Sequence, residues 1–253
     1  MASPTPFATR APHAPDAPIR FGCLGRIELL GAPASDEVVT QPLRVALLTL
    51  LCVDGARGFV RRDRLAALLW PELDQAGARG ALRRALYALR RALGEAAIEA
   101  RGEEELRADP AIVWCDAVAF DAAVAAGHHA RALELYVGPL LEGFHVESAA
   151  FDPWLSEARR ARHDAALESA WALATTFETQ ADLTQASRWA RRVARLAQTD
   201  ERRLRGAMGL LARTGNRADA VRVYEEFVVY LRREFDVAPS AETQELARQL
   251  RAN

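Results

Sequence analysis

Lysine is absent from all 253 residues, so every one of the 33 basic side chains is an arginine. A Walker-type phosphate loop, a Schiff-base lysine and a Ser-Lys dyad each need an ammonium group, and none is available. No apolar run approaches the roughly 18 residues of a membrane span, so the chain reads as soluble, with no membrane as partner. Cysteine is scarce. Cys23, Cys52 and Cys115 stand far apart in apolar stretches without ligand spacing, which predicts reduced thiols buried as ordinary core residues in a cytoplasm. The patterns GxSxG and HExxH are missing, and the five His find no carboxylate or Cys at helical spacing; His128-His129 sit in an inter-helix turn. The expectation is therefore no enzyme, no cofactor and no metal.

Length allows one to two domains, and the charge distribution favours two. The net charge of -1 conceals an asymmetry. Residues 41–94 carry 10 Arg against 4 acids, a balance of +6, whereas residues 116–253 carry 18 Arg against 20 acids, a balance of -2. One part is suited to an anion and the other is not. The first 18 residues hold five Pro and no apolar core, which predicts a disordered tail rather than a signal peptide.

Ile19 to Leu30 is β-prone and bounded by Pro18 and the Gly31-Ala32-Pro33 turn, so one or two strands are expected. Pro42 opens a compact helix, Leu43 to Val53, closed by Asp54-Gly55. Phe59-Val60 reads as a brief extended pair before a second helix, Asp63 to Trp70, which Pro71 stops. The third helix, Gln75 to Leu93, divides into two arcs at 100° per residue. Ala78, Leu82, Ala85, Leu86, Leu89 and Leu93 form one apolar arc; Arg79, Arg83, Arg84, Tyr87, Arg90 and Arg91 form the other, with no carboxylate between Gln75 and Gly94. Gly94 is placed as its cap. Ala97 to Arg101 and Glu105 to Ala108 then read as a hairpin around Gly102-Glu103-Glu104, with a further strand within Ala111 to Cys115.

From Asp116 the sequence turns to Ala-rich helices with a register of 34 residues: Ala174/Met208, Phe177/Leu211, Asp182/Asn216, Ala186/Ala220, Ala190/Tyr224 and Val193/Phe227. That is the tetratricopeptide period. Small Ala186 and Ala220 mark close helix approach, and Asp182 and Asn216 mark N-caps. An earlier pair, Ala119 to Ala126 and Ala130 to Leu141, carries Ala132 at the same position. Trp154, Trp171 and Trp189 are read as core filler. The fold class is mainly α with a small β component, a winged helix-turn-helix followed by an α-helical tetratricopeptide-like domain. Domain limits are 1–18 for the tail, 19–115 for the winged helix and 116–253 for the helical repeats.

DRLAALLW at Asp63 to Trp70, followed by ARGALRRALYALRRALG at Ala78 to Gly94, resembles the OmpR-type winged helix of SARP-type bacterial transcription activators. WCDAVAFDAAV at Trp114 to Val124 and GNRADAVRVYEEFVVYLRREFDVAPSAETQEL at Gly215 to Leu246 resemble the bacterial transcriptional activator domain of that family. The resemblance covers about Ile19 to Leu250. It implies a cytoplasmic activator that binds double-stranded promoter DNA at direct repeats, as a side-by-side homodimer, and engages RNA polymerase holoenzyme. No Walker A motif or receiver domain is read, so control by nucleotide or aspartyl phosphate is not expected.

In that setting Arg79, Arg83 and Tyr87 are the candidates for base edges, because a guanidinium fork matches guanine O6 and N7. Arg84, Arg90 and Arg91 are candidates for phosphates, as are Arg61 and Arg62 at the start of the second helix; Arg44 is a weaker one. The plain alternative is a solvated helix surface, but such surfaces normally mix signs. A competing function is a tetratricopeptide-type protein-interaction adaptor whose winged helix has lost DNA. The hairpin tip favours it, since three successive carboxylates, Glu103 to Glu105, are repelled by phosphate.

Overall fold

A computed structural model describes residues 18–252; the expected tail at 1–18 falls outside the described residues except for Pro18. The chain divides into two compact units. One holds the described residues through Ala122 together with Glu134–Arg159, and the other holds Ala123–Leu133 and the chain from Arg160 onward.

In the first unit, β1 (Ile19–Gly22) pairs antiparallel with β2 (Glu28–Leu30). A short helix α1 (Ser35–Val39) follows, which the turn-rich sequence concealed. Helix α2 (Pro42–Val53) has proline in its first turn and buries every residue from Val45 to Val53, so it forms the axis of this core. After a 3₁₀ turn at Gly55–Arg57 come β3 (Val60–Arg61), α3 (Arg62–Leu69) and α4 (Gln75–Leu93). Strands β4 (Ile98–Arg101) and β5 (Glu105–Ala108) make the expected hairpin, and β3 adds to it, giving the order β3-β5-β4. β6 (Val113–Cys115) returns to pair parallel with β1, Phe21 opposite Cys115, completing the sheet β2-β1-β6.

The segment 134–159 closes over the same core. Leu24 bridges Leu140, the Gly25 N–H donates to Pro139 O at 2.8 Å, and the Ser148 hydroxyl donates to Leu68 O at 2.6 Å. Arg159 Nε donates to Leu140 O at 2.7 Å, and Trp154 Nε1 to Asp54 Oδ1 at 3.3 Å.

Helix α5 (Asp116–Ala125) begins three residues earlier than expected, and α6 (His129–Leu135) ends six residues sooner, just before Gly138-Pro139, whose ring cannot continue a helix. Then come α7 (Phe151–Thr179), α8 (Leu183–Leu196), α9 (Glu201–Arg213), α10 (Arg217–Phe235) and α11 (Ala241–Ala252). In the second unit the repeat register is visible as burial: Ala174, Met208, Ala186, Ala220 and Ala190 are fully buried, with Val193 and Phe227 beside them. Gly206 lets α9 approach α7 where a Cβ would lie 2.8 Å from Trp171. Asp182 caps α8 through the Gln185 N–H. Asn216 occupies the equivalent position on α10 but does not cap it with its side chain. Its Nδ2 donates instead to Ser187 Oγ at 2.8 Å, and Ser187 lies 2.8 Å from the Thr214 hydroxyl, so the amide ties two helices together. No helix among the described residues is long and apolar enough to cross a membrane.

Candidate nucleic-acid interface

Helix α4 is fixed at both ends by its own sequence. The Asp74 carboxylate accepts the Gly77 N–H at 2.7 Å, and a Cβ on Gly77 would come within 2.8 Å of that oxygen. At the other end Gly94 adopts φ +97 while its N–H donates to Arg90 O. Between them Ala78, Ala81, Leu82, Leu86, Leu89, Ala92 and Leu93 are buried. Burying each leucine contributes on the order of 1.5–3 kcal/mol, which sets the rotation of the helix. The opposite face therefore points outward by necessity.

That face is not uniform. Arg83 and Arg84 are exposed and take no carboxylate partner among the described residues, and Tyr87 is 68% exposed between turns of the same surface. Arg79 is held by Asp63 of α3, through Nε at 3.2 Å and Nη2 at 3.1 Å. Arg91 donates to both oxygens of Glu37 on α1, at 3.1 and 3.0 Å. Arg90 is half-buried against the hairpin, where it reaches Ile98 O at 3.3 Å and Glu95 at 3.7 Å. Helix α4 thus carries no acid of its own, yet neighbouring elements supply one to three of its arginines. Sequence reading missed these acids because Asp63 and Glu37 lie 16 and 54 residues from their partners.

Arg61 and Arg62 stand at the junction of β3 and α3 beside the hairpin. Arg61 lies 3.9 Å from Glu104, and the Arg62 N–H donates to Glu104 O at 2.8 Å. Burial and the nearby Arg90 cation lower the Arg62 pKa, and Glu104 and Glu103 offset part of that. The Nε atoms of Arg62 and Arg90 are both buried without a hydrogen-bond acceptor. Two partly buried cations with unused donors form a basic corner that an anion could satisfy. Arg44 is half-buried and donates to Glu37 O at 2.5 Å.

The hairpin is braced by charge rather than by apolar contact at its edge. Arg101 and Arg107 lie over the Phe59 ring at 4.7 and 4.6 Å, and pair with Glu105 at 2.6 Å and Glu99 at 2.5 Å. Gly102 makes the turn at φ +60, which leaves Glu103 and Glu104 exposed at the tip. Glu105 is spent on Arg101, so two acids, not three, face solvent there.

A second cluster lies in the same unit, away from the arginines. Cys23, Cys52 and Cys115 are all buried free thiols, as the sequence predicted, but the fold gathers them. Cys23 Sγ lies 3.6 Å from Cys115 Sγ and 3.1 Å from Asp116 Oδ1. Pairing of β1 with β6 brings residues 92 positions apart into contact, which linear spacing could not reveal.

The family described as "Bacterial transcriptional activator domain" matches residues 115–251. Among solved structures the chain resembles one described as Mycobacterium tuberculosis EmbR in complex with low affinity phosphopeptide, with 22% identity and a TM-score of 0.53. The match covers 93% of this chain but 65% of that one, and at this identity it speaks to the fold. No curated protein sequence matches the chain.

Proposed function

The chain belongs to the bacterial transcriptional activator domain family, and on that premise we propose that it is a transcription regulator that works by binding duplex DNA through α4. The observation that carries this is the face formed by Arg83, Arg84 and Tyr87: two guanidinium groups without carboxylate partners among the described residues and an exposed phenol on a helix locked by its buried leucines. A helix of this size fits the major groove, where Arg83 reads a base edge and Tyr87 packs beside it. Arg79 joins them once phosphate or guanine replaces Asp63. Arg84, Arg61, Arg62, Arg90 and Arg91 grip phosphates. On this reading residues 19–115 recognise promoter direct repeats as a homodimer in the cytoplasm, and residues 116–253 engage RNA polymerase. Val229, Phe235 and Val237, exposed toward the end of α10 and just beyond it, give the second unit an apolar surface for a protein partner.

The test is retardation of promoter fragments by the full chain across a salt series. Affinity is expected to fall with a log-log slope of about -0.9 per phosphate contact. Retention insensitive to salt, or unchanged when Arg83 and Arg84 are replaced, refutes the reading. The adaptor alternative is supported by a different observation: Asp63, Glu37, Glu95 and Glu104 pair with Arg79, Arg91, Arg90 and Arg61. A stable protein complex with no retention on duplex would establish it instead.

A further inference from the structure

We propose that Cys23, Cys115 and Asp116 form a binding site for one thiophilic divalent cation of the zinc class. Their ligand atoms all lie within 4.8 Å of one another, and all three residues are buried. In a tetrahedral zinc site, Zn–S bonds of about 2.3 Å and Zn–O bonds of about 2.0–2.2 Å put neighbouring sulfurs roughly 3.8 Å apart and sulfur and oxygen roughly 3.5 Å apart. The observed separations are 3.6 Å between the two Sγ atoms and 3.1 Å from Cys23 Sγ to Asp116 Oδ1. These two separations lie within a few tenths of an ångström of those a bound ion sets.

The surroundings are those of a ligand set already held in place. Asp116 accepts the Cys23 N–H on both oxygens, at 2.9 and 3.0 Å, and the Leu24 N–H at 3.0 Å, so backbone amides orient its carboxylate. Cys115 immediately precedes α5, so its sulfur sits at the N-terminal end of that helix. Among the described residues no arginine pairs with either group. A buried carboxylate without a cationic partner is costly, and a bound divalent ion supplies one. Cys52 lines the same cavity as Cys115 and is the candidate for the fourth position.

Access comes from two sides. A cavity of about 270 Å³ is lined by Cys52, Cys115, Val118 and Ala119, and another of about 530 Å³ by Gly22, Leu24 and Asp116. Binding replaces the thiol protons, which pass to solvent, by metal–sulfur bonds; no electrons are transferred. The ion then joins the end of β1 to the start of α5.

The experiment titrates the reduced, metal-stripped full chain with zinc chloride, and separately with cobalt chloride as an optical probe. One ion per chain is expected, with thiolate-to-cobalt absorption and slower alkylation of Cys23 and Cys115 when zinc is present. Asp116→Asn is expected to weaken zinc binding tenfold or more, and Cys115→Ser to abolish it. The alkylation measurement uses the unaltered chain, so it decides the matter even where a variant fails to fold. Absence of stoichiometric zinc, alkylation rates unchanged by zinc, or equal uptake by a Cys23→Ser/Cys115→Ser double variant overturns the proposal.

Discussion

Arg79 places both Nε and Nη2 on Oδ1 of Asp63, at 3.2 and 3.1 Å, and so crosses from the outer face of α4 to the first turn of α3. Both partners are well exposed, and pairs of this kind are worth under about 1 kcal/mol in water. The pair is strong enough to park a side chain and weak enough to yield to phosphate. Its neighbours one turn on, Arg83 and Arg84, have no such tether among the described residues.

Arg83→Ala is therefore expected to cost on the order of 1–3 kcal/mol of specific duplex affinity, measured by anisotropy at fixed salt on a selected site. Unchanged binding on every recovered site would remove Arg83 from the base-reading set.

Asp63→Asn releases Arg79 without disturbing the apolar face of α4. Duplex binding should tighten, and the salt slope should steepen by up to about 0.9 as one more phosphate is neutralised. A slope identical to that of the parent chain would mean that Arg79 never reaches the nucleic acid.

The hairpin tip offers an opposite test. Glu103→Gln with Glu104→Gln removes two exposed charges and frees Arg61 from Glu104, 3.9 Å away. Tighter, more salt-sensitive binding is expected where the tip approaches phosphate; equal binding places the tip away from DNA.

Elements with a strong period were readable in advance. The two arcs of α4, the hairpin and the paired alanines of the repeats follow from side-chain direction and size, which are local properties. Helix α1 was hidden because five residues are too few to show a period. The ion pairs that claim Arg79 and Arg91, and the gathering of three thiols, depend on which elements meet. Asn216 shows the same divide: its place at the start of α10 was legible, but the tie to Ser187 on another helix was not.

Gly206→Ala drives a Cβ to 2.8 Å from the Trp171 ring, a rigid neighbour that cannot rotate away cheaply. Overpacking of this type costs about 1–3 kcal/mol. Thermal unfolding should report a lower Tm for the variant, and an unchanged one would mean that α9 can retreat from α7.

Glu201 links pH to the stability of the second unit. Burial raises its pKa, but hydrogen bonds from Ser240 and Thr243 and the Arg205 charge outweigh burial and hold the carboxyl below its usual range. A depressed folded value means that the contribution is present above the unfolded value of about 4.3 and is lost as pH falls through the folded one. Glu201→Gln should flatten that acid limb of the stability curve, and an unaltered limb would assign the loss to other carboxylates.

Strand β1 finds its parallel neighbour only at Val113 to Cys115, and residues near Leu140 then cover Leu24. A nascent polypeptide leaving the ribosome accordingly holds its opening strand unsatisfied on one edge until most of the first unit has been synthesised. Stalling or premature termination before that strand arrives releases a fragment with a sticky edge, open to chaperones, proteases and self-association. The timing of translation across this stretch therefore bears directly on how much of this protein a cell can accumulate.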